Sequence, residues 1–78
     1  METKIYTRDT LVFKIVIPAD DKNYSIEGVT SITGDLPYSI TAQFVKIEDE
    51  RIKIYCIGNN HSDYISLQSR IGYEVIAI

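Results

Sequence analysis

The sequence is poor in the residues that staple small domains together. One cysteine, Cys56, and one histidine, His61, exclude an internal disulfide and a Cys/His zinc site. Two prolines and four glycines leave no collagen-like or low-complexity tract, and the glycines at 28, 34, 58 and 72 are scattered instead of gathered into a phosphate-cradling loop. Long apolar runs are missing too. The densest, Leu11 to Ile17, is broken by Lys14 and preceded by Arg8 and Asp9; it is too short for a membrane span and poorly flanked for a signal peptide. Nor is there an excess of positive charge: eight Lys and Arg stand against eleven Asp and Glu, a net charge of −3, so a phosphate backbone attracts the chain weakly. These absences argue against nucleic acid and membranes as default partners. With the lone thiol, they lead to the expectation of a cytoplasmic protein.

What is present is a chain of 78 residues and 8.9 kDa, read as one β domain over 1–78. A chain this short buries only about 60% of the surface it exposes when unfolded, so its folding free energy is marginal without help. Disulfides and structural metals being excluded, association with another chain is the expected support, either as a homo-oligomer or on an unidentified protein partner.

The composition favours strands. Fourteen Ile and five Val stand against three Leu and three Ala, with six Thr and six Tyr besides; branching at Cβ and aromatic rings suit a pleated surface. Leu11–Ile17 alternates with apolar residues on both faces, and Pro18 ends it. A shorter strand is expected at Lys4–Thr7. Tyr24–Thr33 reads as a strand bent at Gly28, with Tyr24, Ile26, Thr30 and Ile32 on one face. Tyr38, Ile40, Ala42 and Phe44 share a face, but Val45 and Ile47 continue the apolar series on odd positions, so a bulge is expected near Phe44. Glu48–Arg51 reads as a hairpin turn before Ile52, Ile54 and Cys56, and Gly58–Asp63 as the next turn. Tyr64–Leu67 and Tyr73–Ile78 read as the last strands, with Leu67–Ile71 open to reading as one helical turn. The fold class expected is all-β: an antiparallel meander of five to six strands curled into a small barrel or half-barrel.

No catalytic constellation stands out. His61 has only Asp63 near it in sequence, and Cys56 lies on an apolar strand face where burial silences a thiol. No catalytic residue, metal site or cofactor is expected, and the chain is read as a non-enzyme. Tyr24, Tyr38, Phe13 and Phe44 fall in phase with Ile and read as core, whereas Tyr55, Tyr64 and Tyr73 sit among polar neighbours and suit an outer surface. Apolar residues on both faces of Leu11–Ile17 and Tyr73–Ile78 exceed what one interior can bury. The candidate interface is therefore Val12, Val16, Tyr55, Tyr64, Tyr73, Ile76 and Ile78.

The function expected is a small protein-binding module, an adaptor or inhibitor, working through an exposed strand edge and a tyrosine-bearing surface. The bias towards Ile, Tyr, Asn, Lys and Asp fits a coding sequence of low GC content, common among compact phage and mobile-element proteins. The alternative is a small barrel holding a nucleotide or single strand on its tyrosines, with Lys14, Arg51, Lys53 and Arg70 supplying charge.

Overall fold

The computed structural model describes residues 11–58 and 61–78. The strand expected at Lys4–Thr7, the turn residues Asn59 and Asn60, and the side chain of His61 lie outside the described residues. Strand β1, Leu11–Pro18, follows its alternation: Phe13, Ile15 and Ile17 are fully buried, and Val12, Lys14 and Val16 point the other way.

The strand expected over Tyr24–Thr33 is instead a helix, α1, Ile26–Gly34. Local chemistry overrides the strand-like composition. The Ser25 hydroxyl accepts from the Gly28 N–H at 3.0 Å as an N-cap, and Glu27 in the first turn complements the helix dipole. Gly28 and Ile32, one turn apart, are buried, and Val29 packs against the core beside them. Thr30 and Thr33, which read as strand formers, donate their hydroxyls to the carbonyls of Ile26 at 2.9 Å and Thr30 at 3.1 Å. Gly28 marks a close approach, not a strand bend: a Cβ there would fall 2.1 Å from the Asn23 carbonyl oxygen.

Strands β2, Ile40–Glu48, and β3, Arg51–Gly58, form the expected hairpin. Asp49 and Glu50 both adopt left-handed backbone, φ 56° and 57°, the pairing whose twist matches the strands of a two-residue hairpin. The expected bulge is present, but one residue earlier. The register steps from Ala42↔Cys56 to Phe44↔Tyr55, leaving Gln43 as the extra residue, so Val45 and Ile47 rejoin the side of Ile40 and Ala42 while Phe44 crosses to the opposite side.

The expected strand Tyr64–Leu67 is likewise corrected. It lies within helix α2, His61–Ile71, where Tyr64, Leu67 and Ile71 recur at helical spacing and pack on the core; the helical turn read at Leu67–Ile71 is its last part. Gly72, at φ 78°, stops the helix by bonding the Gln68 carbonyl at 2.8 Å. Strand β4, Glu74–Ala77, follows.

The four strands form one antiparallel sheet in the order β2-β3-β1-β4. With the element order βαββαβ this is the split βαβ, ferredoxin-like arrangement. Both helices bury their apolar stripes on the face bearing Phe13, Ile15, Ile17, Ile52, Ile54 and Cys56. Among the described residues the expected barrel or half-barrel of five to six strands is thus an open sheet of four strands. Two of the expected strands are helices, and helices, not curvature, cover the core face.

Candidate interface on the open sheet face

Among the described elements, none lies over the second face of the sheet. The register arranges its side chains in rows running from β2 across β3 and β1 to β4. One row is Thr41, Ile57 and Val12, joined by Ile78, whose N–H bonds the Val12 carbonyl at 2.9 Å. The next is Phe44, Tyr55, Lys14 and Ile76; the third is Lys46, Lys53, Val16 and Glu74; Glu48 and Arg51 complete the fourth. The face is therefore split along the strands, with an apolar end and a charged end.

At the apolar end the Phe44 and Tyr55 rings stack, centroids 4.6 Å apart and planes 12° from parallel. They line, with Val12, Ile57 and Ile78, a shallow depression of about 380 Å³. Phe44 is 57% exposed and Ile78 68%, values that leave apolar surface in water. At the charged end Lys53 donates to Glu48 at 3.1 Å and lies 3.7 Å from Asp49, while Lys46 lies 3.7 Å from Glu48. The hydrogen bond from Lys53, and then the positive charge of Lys46, hold the Glu48 carboxyl below its usual range; the same bond pushes Lys53 up. Val16 is buried at this end, in a hollow it shares with Lys53, Arg51 and Glu74.

The sequence-predicted interface residues divide. Val12, Val16, Tyr55, Ile76 and Ile78 converge on this face. Tyr64 and Tyr73 lie on the helix side: Tyr64 packs on Phe13, with ring centroids 5.1 Å apart, and Tyr73 rests against the core, its hydroxyl bonded to Asp21 and Asn23. Of the cations named for the alternative reading, Lys14, Arg51 and Lys53 share the face, and Arg70 is exposed in the last turn of α2. Two further aromatic expectations are corrected. Phe44 crosses to the open face because of the bulge, and Tyr38 is fully exposed, standing before β2 begins, outside the phase that buries Ile40. Sequence reasoning missed Phe44 and Ile57 as face residues; the bulge displaced the first, and Ile57 carried a signal in its alternation against Cys56.

A second apolar surface was not foreseen. On the helix side, Val45 and Ile47 are exposed, and with Tyr24, Ile26 and Val29 they line a groove of about 350 Å³.

The described residues assemble no group of three His, Cys, Asp or Glu placed to hold a metal ion. Burial pushes the Cys56 thiol up to about 11, which keeps it protonated at neutral pH. No described helix is long and apolar enough to cross a membrane. No protein-family model matches the chain, and comparison with curated proteins and with solved structures gives no match.

Proposed function

We propose that the chain is a protein-binding module whose docking surface is the open face of its sheet. The observation that carries this reading is the convergence of Val12, Phe44, Tyr55, Ile57, Ile76 and Ile78 at one end of a face that no described element covers. Apolar surface beside a charged border is the composition of a protein interface, an aromatic core with a polar rim. The runner-up, a nucleic-acid platform, draws on Tyr55 beside Lys14, since a four-stranded sheet can stack bases on its rings. Against it, one side of the Tyr55 ring is occupied by Phe44, Lys53 is engaged by two carboxylates, and the chain is net acidic.

The test is site-specific photo-crosslinking in cells, with a benzophenone amino acid at Tyr55 and a control at Glu27 on the exposed side of α1. Protein adducts from position 55 and none from position 27 support the reading. Equal labelling from both positions, adducts to nucleic acid alone, or no adduct from position 55 would overturn it.

A further inference from the structure

The open face has a self-complementary pattern that selects a partner. We infer that its occupant is a second copy of this chain, packed face to face about a two-fold axis that runs parallel to the strands between β1 and β3. This rests on the reading of the face as a protein-docking surface and adds the identity of the partner.

The argument is geometric. A two-fold axis along the strands keeps each row at its own height and reverses its order from edge to edge. Lys46 of one copy then stands opposite Glu74 of the other, and Glu74 opposite Lys46, so that opposite charges meet at both flanks. In the row above, Phe44 faces Ile76 of the other copy, and Tyr55 faces its Lys14, a cation over a ring. In the row beyond, Ile57 faces Val12. Phe44–Ile76 and Ile57–Val12 set apolar against apolar and Lys46–Glu74 sets opposite charges together, each contact made twice by symmetry, while Thr41 falls opposite Ile78 and Lys53 opposite Val16. A two-fold axis across the strands is less favourable when centred on the Tyr55 row: it sets Lys14 against Lys14 and lays Ile57 over Lys53 and Ile78 over Glu74, with Val12 over Val16. Two sheets stacked with their strands aligned also conform to ordinary sandwich packing.

The area is small. Three strands of about eight residues and a β4 of four residues give a face on the order of 440 Å² per copy, under about 900 Å² in all. That is below the usual size of a stable interface, so a weak, reversible dimer that forms only at high concentration is expected.

The test is sedimentation equilibrium of the full chain over a wide concentration range, with Lys46→Glu, Glu74→Lys and the double variant. Both positions are exposed, and circular dichroism checks that each variant folds. Wild type should dimerise; each single swap places like charges together at two sites and should weaken association roughly tenfold; the double variant should recover to within about threefold of wild type by restoring opposite charges. A wild type that stays monomeric throughout, or a double variant no tighter than the single ones, would overturn the inference. A monomeric wild type whose Tyr55 crosslinker captures a different protein leaves the docking reading intact and removes only the self-pairing. Absence of both removes the docking reading as well.

Discussion

A single phenol joins two connections that are far apart in sequence. The Tyr73 hydroxyl donates to the Asp21 carboxylate and accepts from the Asn23 side-chain amide at 2.7 Å, while the Asn23 backbone N–H donates to the same carboxylate at 2.8 Å. The β1–α1 connection is thereby tied to the start of β4. Hydrogen bonds from Tyr73 and then from the Asn23 backbone lower the Asp21 pKa from 3.8, whereas burial first, and the bond to Asp21 next, raise that of Tyr73 from 10.0. For a depressed carboxylate, the stabilising contribution is present above the unfolded value and lost as pH falls through the folded one. For a raised phenol, it is present below the unfolded value and lost as pH rises through the folded one. Tyr73→Phe should therefore lower the melting temperature by a few degrees near neutrality. Thermal scans from pH 7 downward should show wild type and variant converging below pH 3.8; a gap that does not change with pH would mean that the hydroxyl contributes through packing alone. Association through the open face should be unaffected, because Tyr73 lies on the helix side.

Among the elements, the bulge in β2 decides what each surface offers. Because Gln43 is the additional residue, removing it leaves Ile40, Ala42, Val45 and Ile47 on the helix side and Thr41, Phe44 and Lys46 on the open side, now in one unbroken alternation. Deleting Gln43 should therefore give a folded protein within about 1 kcal/mol of wild type in urea denaturation, as expected for a ladder that is regularised and not shifted. Deleting Tyr55 from β3 would turn over half of a central strand and should abolish folding. The same element shows how far the sequence can be read. Period-two alternation made β1, the β2–β3 hairpin and β4 legible, and the slip at Phe44–Val45 announced the bulge. The helices were hidden because α1 is built from Ile, Val and Thr, whose intrinsic preference is for strands. Its true signals, Ser25 followed three residues later by a buried Gly28 and the Val29–Ile32 spacing, are short-range marks that composition outweighs. In α2 the Tyr64, Leu67 and Ile71 stripe and the Gly72 stop were both visible, but the polar opening of the helix resembled a turn. The open face was legible in part for the same reason: Val12, Val16, Ile76 and Ile78 lie on strands whose phase was correct, whereas Tyr64 and Tyr73 were assigned from neighbouring polarity without a helix to place them.

The molecule as a whole has one sheet with two unlike sides. Its core is a single layer between sheet and helices, in which Phe13, Ile15, Ile17 and Ile54 are fully buried. Ile15→Ala should cost about 3 kcal/mol, from lost burial and the cavity left behind, a large share of the total stability of a domain this small. Ile76→Ala, on the open face at 37% exposure, should cost less than about 1 kcal/mol in the dilute protein, where that face is still in water. Urea titrations at low protein concentration would separate the two; comparable losses would mean that the open face stabilises the monomer fold. Ile78 has a practical bearing on every such measurement. Since its N–H is bonded to the Val12 carbonyl beside the Phe44–Tyr55 pair, an affinity tag attached through it would emerge at the rim of the open face, so assays of association call for a label elsewhere, such as at Glu27.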